Sequence, residues 1–305
     1  MTTKFGWVPH KARTTQTKKI CDRIIGAMPK FAIRGADPTN TRRVLWDYSL
    51  ALLGKHLPCL EQQTGSCVGN GAWTAMAYLQ CAEIVRAGDN EKYVGLFLPY
   101  HYGRGRYHAG IHGRGDGSTG AGQAEAILKD GVIVQQPGLP EPSGGDRGYT
   151  WGERVEMTWS DGNAIDSKWI KEGRIHLVKS AALVTSFADA AKALLLGYPI
   201  TVASSVGFEG KKERHGDKIF LRRGGTWQHQ MAIIGVDLDP SRPGGRIQNS
   251  WSADWQDDNP DGAPPGGFWA DADTIDKMLR EEDSFTFSQF DGFPADPDEI
   301  DWLPV

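Results

Sequence analysis

Long apolar runs are absent from this 305-residue chain: nothing approaches the ~18–20 apolar residues that span a bilayer, and Met1 to His10 has no apolar core of the kind a secretory leader requires. No membrane partner is therefore expected. Cysteine is scarce as well. The four residues Cys21, Cys59, Cys67 and Cys81 are too few and too scattered for a disulfide scaffold, and no C-x-x-C pair is present for zinc or redox work. A reducing, cytoplasmic environment is the simplest expectation. A basic excess is also missing. The formal net charge of -4 argues against a nucleic-acid binder that works by neutralising phosphates. The glycine run 115–122 (GDGSTGAG) lacks the Gly-Lys-Ser/Thr of a phosphate-binding loop. His101, His108 and His112 lie among glycines and arginines with Asp116 as the only nearby carboxylate, so neither a metal nor any other cofactor is expected.

What charge there is lies unevenly. Residues 1–45 read as a basic extension or wrapping arm, carrying Lys4, Lys11, Arg13, Lys18, Lys19, Arg23, Lys30, Arg34, Arg42 and Arg43. Residues 286–305 read as an acidic tail with Asp291, Asp296, Asp298, Glu299 and Asp301. The two could serve protein assembly, although solvated surface is the default for charged tails. Between them, 46–285 reads as one domain with a mainly helical half over about 46–140 and a mainly antiparallel β half over about 150–285. Apolar residues at helical spacing predict a helix from Cys67 to Arg86 with a stop at Gly88, and Tyr100–Gly122 reads as a loop. Residues 124–129 and 187–196 read as helices. Strands are expected over 132–134, 174–178, 199–205, 218–221, 231–236 and 246–251, and the Pro/Gly stretch at 136–150 as the crossover between halves.

Chemistry concentrates on three residues. A cysteine nucleophile must be a thiolate, and a helix N-terminus or a neighbouring imidazolium lowers the thiol pKa. Cys67 stands at the start of the strongest helix of the first half, behind Thr64-Gly65-Ser66. His229 precedes the strand 231–236, and Asn249 lies on the strand returning from the turn LDPSRPGG, so a hairpin would bring them together. An Asn oxygen can hold an imidazole in one tautomer and orientation. Each residue alone is unremarkable: a lone cysteine is by default a small buried hydrophobe and a lone histidine a satisfied structural one. Their order along the chain points to nucleophilic catalysis.

The flanking residues carry a resemblance. Residues 61–73 (EQQTGSCVGNGAW), 227–237 (WQHQMAIIGVD) and 248–255 (QNSWSADW), followed by Gly266-Gly267-Phe268-Trp269, resemble the nucleophile, histidine and Asn-Ser-Trp motifs of papain-like cysteine peptidases, their bacterial and viral members especially. Leu45–Tyr48 and Phe5–Pro9 are similar to other parts of that family. The resemblance implies an α+β fold in which a helical half packs on an antiparallel β-barrel half with the cleft between. It also implies hydrolysis of peptide bonds in a protein or peptide substrate by Cys67, His229 and Asn249, with Trp251 shielding the His–Asn pair. The oxyanion hole would use the Cys67 amide and a glutamine side chain. The loop before Cys67 departs from the family pattern: read as one glycine short it assigns that role to Gln62, whereas strict counting lands on Glu61. Gly120 and Gly122 would line the substrate cleft. A papain-fold assembly protein, such as a virion component, is the alternative. The 60-odd residues before Cys67 cannot hold the family's inhibitory helical pro-domain, so the enzyme would either need no zymogen or be restrained some other way.

Overall fold

The computed structural model describes residues 5–17, 41–87, 91–111, 113 and 115–290. The stop expected at Gly88, the histidine at 112 and the acidic residues beyond 290 lie outside them. Helix α1 (11–17) follows an extended N-terminal segment, and β1 (Arg42–Val44) leads into α2 (Trp46–Leu53). The central helix α3 (Cys67–Ala87) begins at the predicted nucleophile. It is apolar almost all round, with Val68, Ala72, Trp73, Ala75, Met76, Tyr78 and Leu79 buried, as befits a helix enclosed on every side. α2 and α4 (Leu98–Ala109) pack on it from the helical side and the sheet covers the other.

Of the loop expected over 100–122, residues 100–109 belong to α4 and 120–122 to α5, while the described residues between them are irregular as expected. Gly103, Gly105 and a run of arginines and histidines suggested irregular structure, but these residues are turned inward. Gly103 allows close approach, since a Cβ there would sit 2.0 Å from the Trp159 carbonyl oxygen. Arg106 donates to the carbonyls of Ser160, Gly117, Ile111 and Gly115, supplying loops with the hydrogen bonds that burial demands. α5 (Gly120–Lys129), α6 (Glu153–Trp159) and α7 (Ser167–Gly173) complete the helical side. Because α7 and its C-cap occupy residues up to Arg174, the strand expected at 174–178 starts later, as β2 (Val178–Leu183).

The second half is built on a long hairpin, β3 (Ile200–His215) and β4 (Lys218–Asp237), joined by β5 (Gly244–Gln248), β6 (Gly267–Asp271) and β7 (Phe285–Phe290), with helices α8 (Phe187–Leu195) and α9 (Ala272–Leu279) alongside. The sheet order is β2-β7-β3-β4-β5-β6, with β1 also on β4. It is mixed helix and antiparallel sheet as expected, but the sheet is not closed into a barrel. β4 is 20 residues long and takes β3 and β1 along one edge and β5 and β6 along the other. Strands are thus laid end to end along β4, and the terminal strands β2 and β6 do not meet. Among the described residues no helix is long and apolar enough to cross a membrane.

The helical side contains a buried charge cluster. His108 lies 2.8 Å from Asp130 and 3.5 Å from Glu125, while Arg104 and Arg174 also reach Asp130. Burial works against the His108 charge, but its bonds to Asp130 and Glu125 prevail and raise its pKa. Chiefly through the His108 bond, Glu125 is pulled down to about 2. Burial opposes ionisation of Asp130, yet His108 and Arg104 bring it to about 2 as well. A raised histidine stabilises the fold below its unfolded value near 6.5, and that contribution disappears as pH climbs through the raised value. His108→Gln should therefore cost about 2 kcal/mol at pH 6 and less at pH 9, read by urea denaturation at both pH values.

Candidate active site

The segment leading to Cys67 is held by two carboxylates distant in sequence. Glu156 on α6 accepts hydrogen bonds from the Thr64 amide (3.1 Å), the Thr64 hydroxyl (2.6 Å) and the Ser66 hydroxyl (2.7 Å). Asp116 accepts from the Gly65 amide and from the Tyr102 hydroxyl. Glu156 did not stand out in the sequence and Asp116 did so only as the carboxylate near the histidines of 101–112, because nothing local marks a residue whose partners in this segment lie 51 to 92 positions away. Gln62 is buried in the same segment. Its side-chain nitrogen donates to the Thr64 carbonyl (2.9 Å), and its oxygen accepts from the Ser250 hydroxyl (2.7 Å).

On the facing sheet, β3–β4 pairing sets Ser204 opposite His229 and Ala203 opposite Gln230, and β4–β5 pairing sets Ala232 opposite Gln248. Asn249 follows directly, and its Oδ1 lies 2.8 Å from His229 Nε2. That acceptor requires the proton on Nε2, which leaves Nδ1 as the ring's lone-pair nitrogen. Nδ1 is buried and has no hydrogen-bond partner among the described residues. Trp251 stacks on the imidazole, with ring centroids 4.7 Å apart and planes inclined by 29°. The N-terminus of α3 meets this strand at the next residue: Gln230 Nε2 donates to the Val68 carbonyl (3.0 Å), and the Gln230 amide faces the Cys67 sulfur.

The N-terminal segment lies across this arrangement as a strap. Phe5 packs edge-on against His229 and Trp251, with centroids 6.1 and 5.8 Å away. The amides of Gly6 and Trp7 donate to the Gln228 carbonyl (3.1 and 3.0 Å). On the opposite side Val8 donates to the Ser118 carbonyl and the Ser118 amide donates to Gly6, both at 2.8 Å. Gly6 passes so close to the nucleophile loop that a Cβ on it would stand 1.7 Å from the Gly65 carbonyl oxygen. Cys67 is 0% exposed and His229 1%.

Burial dictates the ionisation here. It pushes the Cys67 thiol up to about 12, against the opposing amides of Gln230, Gly6 and Val68. It pushes His229 down to about 4, against the favourable bond to Asn249. Thiol and imidazole are both neutral under the strap.

The two glycines expected in the cleft both belong to α5. Gly122 is inside α5, where a Cβ would meet the Gly105 carbonyl and Ala109 of α4, so it serves helix packing. Gly120 is buried at the start of α5 with its amide on Asp283. The residues that border the strap are Gly117 and Ser118, just upstream.

No protein-family model matches the chain, and no curated protein sequence matches it. Solved structures do. Xylellain, a cysteine protease from Xylella fastidiosa, aligns with TM-score 0.52 at 14% identity, over 94% of this chain and 91% of that one. The fold is papain-like. The ragweed pollen cysteine protease Amb a 11, in its proform, aligns with TM-score 0.52 at 15% identity over 90% of this chain and 76% of that one. The procathepsin B S9 of Trypanosoma congolense aligns with TM-score 0.51 at 11% identity over 83% and 78%.

Ejecting the strap should expose the thiol. Gly6→Val places a side chain against the Gly65 carbonyl and should raise the rate of Cys67 alkylation by iodoacetamide at least tenfold at pH 8. Buried Cys59 and Cys81 serve as internal controls. In the unaltered chain the rate should keep rising with pH beyond 9, because the thiol titrates near 12.

Proposed function

We propose that the chain is a thiol-dependent peptidase that hydrolyses peptide bonds through Cys67 and His229, with Asn249 as a positioning residue. The observation that carries this reading is the unpartnered Nδ1 of His229, fixed by the Asn249 bond on Nε2 and set one residue from the strand position that faces Cys67. A buried nitrogen lone pair without a donor is costly in a purely structural histidine. Beside a thiol it is a proton acceptor ready for use.

In this reading His229 Nδ1 takes the Cys67 proton, and the sulfur forms a bond to the scissile carbonyl carbon. The tetrahedral intermediate collapses with loss of the amine, which receives the proton from His229, leaving a thioester. Water, deprotonated by the same nitrogen, attacks that thioester and releases the acid and the thiol. The Cys67 amide at the α3 N-terminus and the Gln62 side chain are the proposed donors to the oxyanion. Trp251 keeps water off the His229–Asn249 bond.

The chemistry is tested with the strap released. Gly6→Val should cleave fluorogenic peptides, and Cys67→Ser in that background should lower kcat/KM by 10³-fold or more, on the order expected for a lost nucleophile. Persistence of cleavage without Cys67 would refute the proposal. Asn249→Ala should lower kcat about 10- to 100-fold. Since the Asn249 bond raises the His229 pKa, the imidazole should titrate at lower pH in Asn249→Ala and at higher pH in Asn249→Asp, read by NMR. Loss of packing alone would not produce that opposed pair of shifts.

A further inference from the structure

The strap is mostly peripheral. Phe5 and Val8 are 40% and 37% exposed, whereas Trp7 between them is only 3% exposed. One side chain of the strap therefore fills a socket. Its walls include Val68 of α3 and Ala203 of β3, which cluster with Trp7 and Cys67. Its floor is polar: Trp7 Nε1 donates to Asp283 Oδ2 at 2.7 Å, and Asp283 is 2% exposed. The main chain of the same residue is flanked on both sides, by the Gln228 carbonyl and by Ser118. An extended chain gains affinity from such rails whatever its sequence, and the socket decides which side chain is accepted.

Asp283 also holds the Gly120 and Ala121 amides at the start of α5, each at 2.7 Å, and the Thr14 hydroxyl of α1 at 3.3 Å. Helix capping accounts for two of its four bonds. The other two come from the N-terminal arm and leave with it. A carboxylate has about four acceptor sites, so an emptied socket keeps a desolvated oxygen in want of donors. All four present donors are neutral. Of the charged neighbours on the same turn, Glu281 is held by Ser205 and Arg280 by Asp276, while Glu282 is exposed. A cationic side chain would therefore bind Asp283 at least as well as an indole does. An aliphatic one would strand the carboxylate.

Resting on the peptidase reading only in taking this cleft as the substrate's path, we propose that the Trp7 socket is the substrate-selecting pocket and that Asp283 makes it accept side chains ending in an N–H donor, tryptophan, arginine and lysine, over aliphatic ones.

The full-length chain tests this without any turnover. With Cys67 alkylation as readout, Trp7→Arg should keep the strap seated and label within threefold of the unaltered protein, while Trp7→Leu and Trp7→Phe should label at least tenfold faster. Leu or Phe protecting as well as Trp, or Arg labelling as fast as Trp7→Ala, overturns the proposal. A second measurement uses the Trp7→Ala, Cys67→Ala double variant and acetylated tetrapeptides that differ at one position. Peptides with Arg or Trp should bind at least tenfold more tightly than the norleucine peptide by fluorescence anisotropy, and Asp283→Asn should remove the Arg advantage. Equal binding of all three overturns it. If selective binding is found but no peptide is cleaved when Cys67 is present, the peptidase reading fails and the pocket stands. Cleavage without that selectivity has the opposite meaning.

Discussion

Exclusion of water from the space between α3 and β4 governs the state of everything around it. A helix N-terminus favours a thiolate by roughly 0.3–1 kcal/mol. Burial opposes it far more: a thiol moved from 9.0 to about 12 has its anion disfavoured by about 4 kcal/mol. The position of Cys67 at the start of α3 cannot by itself produce a reactive sulfur while the strap is in place. The imidazole is subject to the same term with the opposite sign, because burial disfavours its cation. One act of desolvation thus leaves a neutral pair, and rehydration of the cleft moves both groups toward the charged forms that thiol chemistry uses.

The framework that tolerates this dry centre is built from ionic groups, buried in the case of Glu156, Asp283 and Arg106, that satisfy backbone polar groups. Glu156 gathers donors from residues 63–66, Asp116 takes the Gly65 amide, and Asp283 takes the first amides of α5. Arg106 does the converse, donating to four carbonyls of the loops that flank α4. Loops cannot be buried with unpaired amides and carbonyls, so these side chains are what let irregular backbone approach the cleft. The nucleophile loop is fixed from outside its own sequence neighbourhood, by Glu156 and Asp116, and delivers Cys67 to the head of α3.

His229 next to β4's apolar core and Asn249 at the end of β5 were legible as a pair because hairpin register is a local property, set by a short turn and an apolar alternation. α3 was legible for the same reason. α4 was not. Its glycines are poor helix formers, and what holds the segment helical includes close packing on Trp159 and bonds from Arg106 to distant carbonyls that no local pattern reveals. Gly120 and Gly122 were assigned to the cleft by likeness of sequence. The structure gives them to the start and packing face of α5, with the Gly120 amide on the same Asp283 oxygen as the Trp7 indole, and Gly117 and Ser118 border the strap just upstream. Glu156 and Asp283 left no trace in the sequence, since a lone acidic residue looks the same whether solvated or buried among amides from another element. The open sheet was hidden as well, because strand count says nothing about whether the terminal strands meet.

Within the basic N-terminal extension, Arg42 pairs with Asp237 at the far end of β4. The described residues of the extension that enter the cleft are not the charged ones: Phe5, Gly6, Trp7 and Val8 lie there, and Thr14 reaches Asp283. They use the cleft's own rails and socket. A tethered occupant competes at an effective concentration in the millimolar range for a short linker, so a free peptide present at micromolar concentration and using the same contacts would displace it from only a small fraction of molecules. The resting cleft is consequently closed by concentration as much as by affinity. The contacts that hold it shut include backbone bonds to Gln228 and Ser118, Phe5 against His229 and Trp251, and the Trp7 indole and Thr14 hydroxyl on Asp283, so a single altered residue in the strap can shift the balance toward the open form.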